Sequence, residues 1–254
     1  VPALEGSIVF GPQAVTTILP DGNGITVPTA SVASVALGSI VATGVSIDYQ
    51  GGSLTYAPGQ TISANINLGG MTNDPLYPAN LPAGAGRIFV EDGAILDVSG
   101  IPNVELPVSS TLVTVILAGN ELADSPLQRS GFLLGQTVTV DSTATGKDSY
   151  GNVWYGTPVA NLSGQIGLIP QSIQQVLTKG GSVSLGGNEV DLANGSLINL
   201  MGGYVHYLGG DVNTTRLIDA YGRMVNIAQA DPNVPIIGVA GRFTVDHAHW
   251  GITE

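Results

Sequence analysis

Ala94-Ile-Leu-Asp-Val-Ser-Gly100 and Ser196-Leu-Ile-Asn-Leu-Met-Gly202 are degenerate copies of one unit: a small residue, two apolar residues, Asp or Asn, one more apolar residue, a variable position and Gly. The same texture surrounds them. The segments 38–48, 86–97, 181–191 and 195–203 each hold a short apolar-alternating run, a turn marked by Gly or Asn, and a second short run. Neighbouring units are roughly 15–25 residues apart, a period typical of stacked repeats. A unit this small cannot bury its apolar side alone, so it must lie on its neighbours and share a continuous core. The expected fold is therefore all-β, a parallel β-helix (a solenoid) with strands about 4.8 Å apart. Gly and Asn supply positive φ at its corners. The competing fold, a β-sandwich, would need antiparallel hairpins with two-residue loops and more core aromatics than the 6% present here.

Two regions interrupt the pattern. Residues 71–85 are Pro-rich and read as a loop, while residues 119–179 gather Arg129, Lys147, Trp154 and Tyr155 and read as an irregular insertion with a short helix. That helix is expected over Pro170–Gly180, with Pro in the first turn, Ile173, Val176 and Leu177 on one face, and Gly180 as its stop. No linker divides the chain, so residues 1–254 are expected to form a single domain. The uncharged stretch from Gly22 to Ile47 is long enough to cross a bilayer as a helix. Its Pro28, three glycines and β-branched alternations favour strands instead.

Composition narrows function. Charged residues make up 10% of the chain, Gly and Pro number 36 and 15, and mean hydropathy is +0.30, which excludes a disordered chain. The net charge is −12, and no Lys or Arg precedes Arg87. Nucleic acid and anionic membrane surfaces are excluded as partners, because both require clustered cations. The absence of cysteine removes disulfides, thiol nucleophiles and Cys-ligated zinc. The chain starts at Val1 without a basic or apolar leader, so it is expected to be a mature or excised piece of a longer protein.

Candidate chemistry is sparse. The one adjacent acid pair, Glu91-Asp92, would point to opposite sides if on a strand, and reads as a corner turn beside Gly93. His247-x-His249, with Asp246 or His206, lacks a third ligand at diagnostic spacing. Asp48, Asp97, Asp141, Asp191 and Asp211 recur near turns, as calcium ligands do, but such aspartates also bond their own turn backbone. Trp154, Tyr155 and Trp250, with Tyr204, Tyr207 and Tyr221, could line a sugar-binding face, but Tyr204-Val-His-Tyr207 mixes both faces of a strand and capping of the core is the favoured reading. Asn161-Leu-Ser163, Asn194-Gly-Ser196 and Asn213-Thr-Thr215 match the glycosylation pattern, which short Asn- and Ser-rich stretches do readily. No residue is assigned a catalytic, cofactor-binding or metal-binding role, and the chain is not expected to be an enzyme.

Several stretches resemble filamentous-haemagglutinin-type large exoproteins, the adhesins of Gram-negative bacteria exported by two-partner secretion. They are Gly86-Arg-Ile-Phe-Val-Glu-Asp-Gly-Ala-Ile-Leu-Asp-Val-Ser-Gly100, Gly119-Asn-Glu-Leu-Ala-Asp-Ser-Pro-Leu-Gln-Arg129, Trp154-Tyr-Gly-Thr-Pro158, Gly202-Gly-Tyr-Val-His-Tyr-Leu-Gly-Gly210 and Ala230-Asp-Pro-Asn233. The resemblance covers residues 86–254; residues 1–85 share only composition. The 119–129 run is the most specific, because it is not a repeat consensus. The resemblance implies a right-handed parallel β-helix in a secreted, surface-retained chain. It also implies a structural and adhesive role toward a glycan or protein receptor on a host cell or matrix, with the membrane reached only through an export partner. The family's amino-terminal secretion domain is not found, so the chain is expected to come from the body of such a protein. Two alternatives remain open: a self-assembling extracellular filament subunit, and a carbohydrate-binding or polysaccharide-processing protein.

Overall fold

A computed structural model describes residues 6–20, 25–69, 84–148, 151–240, 246–247 and 252–253. The chain is mostly short strands with few helices, and it divides into two compact units. The first holds residues 1–27, 32–105 and 171–206; the second holds 28–31, 106–170 and 207–254. Of the expected insertion, residues 119–170 fall in the second unit and 171–179 in the first.

In the first unit eleven strands form three all-parallel ladders. Ladder one stacks Ile8–Phe10, Ile47–Tyr49, Arg87–Val90 and Glu189–Leu192. Ladder two stacks Val15–Thr17, Leu54–Tyr56, Ile95–Asp97 and Leu197–Asn199. Ladder three stacks Ser39–Gly44, Thr61–Ile66 and Ser182–Gly186. From Ser39 the chain visits ladders three, one and two in that order on every pass, adding one strand to each. The two copies of the sequence unit lie side by side, with Ile95 opposite Leu197, Leu96 opposite Ile198 and Asp97 opposite Asn199.

Period-two alternation turns every second side chain toward one core. Ile8, Ile47, Ile88 and Val190 form one column across ladder one, and Phe10, Tyr49, Val90 and Leu192 form the next. The Phe10 and Tyr49 rings stack with centroids 4.4 Å apart and planes 2° from parallel, close to the strand spacing itself. Thr16, Thr55, Leu96 and Ile198 make the matching column of ladder two. Between ladders one and two the same four-residue turn recurs on each pass. Ala14, Ser53, Ala94 and Ser196 each donate an N–H to the carbonyl three residues earlier. The third residue of this turn has positive φ throughout: Gln13, Gly52, Gly93 and Gly195 at 65°, 83°, 78° and 97°. The Gly52 N–H donates to Gly93 O, and the Gly93 N–H to Gly195 O.

The second unit is built from antiparallel pairs. Leu112–Ile116 pairs with Thr137–Asp141, Thr145–Lys147 with Val153–Tyr155, and Arg216–Asp219 lies between Met224–Asn226 and Ile236–Ala240. Its core joins Leu117, Leu122, Leu133, Val138, Val140, Leu162, Leu217 and Ile227. The region read as loop and short helix thus also carries strands. Their alternations, such as Val138 and Val140, span too few residues to stand out in the sequence.

One local reading is corrected. The helix expected over Pro170–Gly180 is the single turn Ile173–Val176, and Pro170–Ser172 is a strand. Ser172 is the reason: extended at ψ 156°, it accepts the Gln175 N–H, while the Gln175 side chain accepts the Ser172 N–H. Gly22–Ile47 gives strands Thr26–Pro28 and Ser39–Gly44 around a 3-10 turn, and among the described residues no helix is long and apolar enough to cross a membrane. Of the expected loop 71–85, only residues 84 and 85 are described.

Candidate functional site

Two of the stretches singled out in the sequence, 119–129 and 154–158, converge on a cleft in the second unit. Its volume is about 360 Å³, inside the span of small-ligand sites, roughly 300–1,000 Å³. Asp124 and Ser125 come from the 119–129 run; Trp154, Tyr155 and Pro158 come from the 154–158 run; Asp148, Asn152 and Asn161 complete the polar lining. The spacing of these residues along the chain gave no indication that they meet.

Each wall has a local cause. Within 119–129, Leu122 is fully buried in the core and Gln128 fully buried as a clamp. The Gln128 side-chain amide donates to Val234 O at 2.9 Å, and its oxygen accepts the Ile236 N–H at 3.2 Å. Ser125 accepts the N–H groups of Gln128 and Arg129, closing the turn that sets Asp124 at the rim. Ser125 itself is only 6% exposed.

The hairpin Thr145–Lys147/Val153–Tyr155 forms the facing wall. Its tip is tied by Asp148, which accepts the Asn152 N–H at 2.8 Å and the Asn152 side-chain amide at 2.9 Å. The Trp154 indole lies over Gly146, directly opposite it in the register. A Cβ at Gly146 would come within 2.6 Å of Trp154 Cε2, so glycine there is what lets the ring lie down. Tyr155 is 44% exposed beside it. Behind the hairpin, fully buried Thr157 donates its hydroxyl to Ile227 O at 2.8 Å and fixes the approach of Pro158. Asn161 accepts the Ser163 N–H and hydroxyl, ordering the entry to the short helix Ser163–Gly167.

Chemically the cleft offers an indole, a phenol, two carboxylates, two carboxamides and two serine hydroxyls; none of the described residues lining it is Lys, Arg or His. This inventory suits a neutral polyhydroxylated ligand, whose apolar faces pack on aromatic rings and whose hydroxyls bond carboxylates and amides.

The remaining sequence candidates lie elsewhere. Glu91 and Asp92 stand in the corner turn beside Gly93, after Arg87–Val90, and Glu91 accepts the Gly51 N–H at 2.9 Å. Asp97 and Asp141 bond their own turns, at Ser99 N–H and Thr143 N–H. Asp191 pairs with Arg87. Asp48 lies two strands from Asp191 in ladder one; burial first, then nearby Glu91, push its carboxyl above the usual range. Among the described residues no three His, Cys, Asp or Glu side chains gather as a metal site. Tyr221 lies under the Arg223 guanidinium, 5.1 Å from the ring centre, in a turn held by Asp219. His206 is exposed, His247 is on a short strand whose side chains are not described, and His249 and Trp250 lie outside the described residues. No protein-family model, curated protein or solved structure matches the chain.

Proposed function

We propose that the three ladders are the faces of a right-handed parallel β-helix, and that the chain is a structural and adhesive segment of a secreted bacterial surface protein of the filamentous-haemagglutinin type. In this reading it works outside the cell, retained at the surface, as a stiff acidic support rather than a catalyst. The observation that carries it is the invariant order three, one, two, in which each pass of the chain extends every ladder by one strand. Parallel strands need crossover connections, and a constant visiting order is what a coiled chain produces. The adhesive part rests on the cleft, where residues of two non-repeat motifs meet in a lining suited to a neutral glycan of a host cell or matrix.

The test is retention. Beads coated with the purified chain are applied to epithelial cells and to matrix-coated surfaces, beside beads carrying an unrelated acidic protein. Greater retention of the chain-coated beads, reduced severalfold by Tyr155→Ser with Asp124→Ala, is the expected result. Retention equal to the acidic control, or untouched by those substitutions, overturns the reading.

A further inference from the structure

The last strands of the three ladders carry core residues without a cover. Ile88 and Val90 are fully buried, yet Val190 and Leu192, the next members of the same columns, are 40% and 52% exposed. In ladders two and three, Ile198, Val183 and Leu185 are half-buried over fully buried Leu96, Ile62 and Ala64. Leu200, Met201 and Tyr204, just beyond, are exposed as well. At the opposite end, Ile8 and Phe10 are likewise half-buried beside fully buried Ile47 and Tyr49. No described residue adds a strand to either edge.

Both edges also keep backbone groups to offer. In a parallel ladder, alternate residues direct their peptide groups to opposite neighbours. Ile8 N–H donates to Ser46 O and Phe10 O accepts from Gln50 N–H, so Val9 presents its N–H and C=O to the open side. At the far end, Glu189 N–H bonds Gly86 O and Ala193 N–H bonds Val90 O, which leaves Val190 and Leu192 facing outward. The first strands of ladders one and two, Ile8–Phe10 and Val15–Thr17, carry no charge. Natural sheets guard open edges with charge, proline or bulges, and no such device occupies either first strand.

From these matching edges we infer that the first unit docks a second copy of this chain head to tail, the Glu189–Leu192 and Leu197–Asn199 strands of one copy pairing in parallel with Ile8–Phe10 and Val15–Thr17 of the next. The pairing extends each core column by its own kind: Val190 meets Ile8, Leu192 meets Phe10 and Ile198 meets Thr16. A second copy is favoured because its own first strands run in the direction, spacing and apolar order that the last strands require. Such a contact uses two different surfaces and does not close on itself, so association continues with concentration. The inference rests on the ladders alone and survives if the adhesive reading fails.

The experiment is sedimentation velocity over a dilution series of the whole chain and two edge variants. Val9→Pro and Val190→Pro each remove a donor that faces the open side, where proline is tolerated in a strand. The wild-type chain is expected to form larger species as concentration rises, and each variant alone to stay monomeric. Mixing the variants should give a discrete one-to-one dimer, since each retains the edge the other lacks. A wild-type chain that is monomeric throughout overturns the inference, as does a variant that still self-associates or a mixture that stays monomeric. Should a proline variant lose its far-ultraviolet circular dichroism, Val9→Lys and Leu192→Lys, at exposed positions, repeat the test.

Discussion

Gln13 occupies a turn position that glycine fills on the three later passes, at Gly52, Gly93 and Gly195. A side chain at positive φ costs about 1–2 kcal/mol, partly offset by the greater freedom glycine has when unfolded. Gln13→Gly is therefore expected to raise stability by about 1 kcal/mol, and Gly93→Ala to lower it by a similar amount, as read from urea unfolding. Tyr49 is the second informative residue. Its ring is fully buried against Phe10, its hydroxyl has no partner among the described residues, and burial pushes its pKa from 10.0 up to about 12. The unfolded chain therefore gives up this proton first. The contribution to stability is complete below about pH 10 and is lost as pH rises toward the folded value near 12. Tyr49→Phe should gain about 1 kcal/mol at neutral pH by removing the orphan hydroxyl. It should also flatten the alkaline fall, measured as urea midpoints of the two proteins compared over that range.

At the scale of elements, local signals act where they are strongest. Ser172 ends the strand Pro170–Ser172 and opens the helix Ile173–Val176 through its reciprocal bonds with Gln175. A helix of one turn has little else to hold it, so Ser172→Ala should cost about 1 kcal/mol, with faster amide exchange at Gln175 as the direct readout. Asp97 and Asn199 show the same economy in strands. Each accepts the N–H two residues on, and the Asn199 amide also bonds the Asp97 carboxylate across the ladder at 3.2 Å. Their equivalent place in the repeated heptapeptide was readable, whereas the direct pairing of two copies about a hundred residues apart was decided by the fold. The hairpins of the second unit had no such repetition to announce them. Leu112–Ile116 and Thr137–Asp141 are twenty residues apart and read singly as short apolar runs.

For the whole molecule, the parallel unit has one core beneath all three ladders, joining Tyr49, Ile62, Ile88, Val90, Ala94 and Leu96. Ile88→Ala leaves a cavity at its centre and is expected to cost about 2–5 kcal/mol. Amide exchange should then quicken together at Ile47, Leu54 and Thr61, one in each ladder, because a shared core opens as one cooperative body. Acceleration confined to Arg87–Val90 would mean that the ladders are held up separately.

The sequence alone determined the repeated unit, the strand-rich character and the acidic net charge. Each follows from period, composition or charge, which are properties of residues near one another in the chain. Tertiary structure alone decided the second antiparallel core, the cleft shared by Asp124, Ser125, Trp154 and Tyr155, and the exposure of Val190 and Leu192. The cleft joins residues some thirty positions apart through buried Gln128 and Thr157, whose bonds run to carbonyls and an amide about seventy to one hundred and ten positions further along. Val190 and Leu192 are sequence-equivalent to buried core residues. Only the position of their strands at the end of the ladders leaves them uncovered.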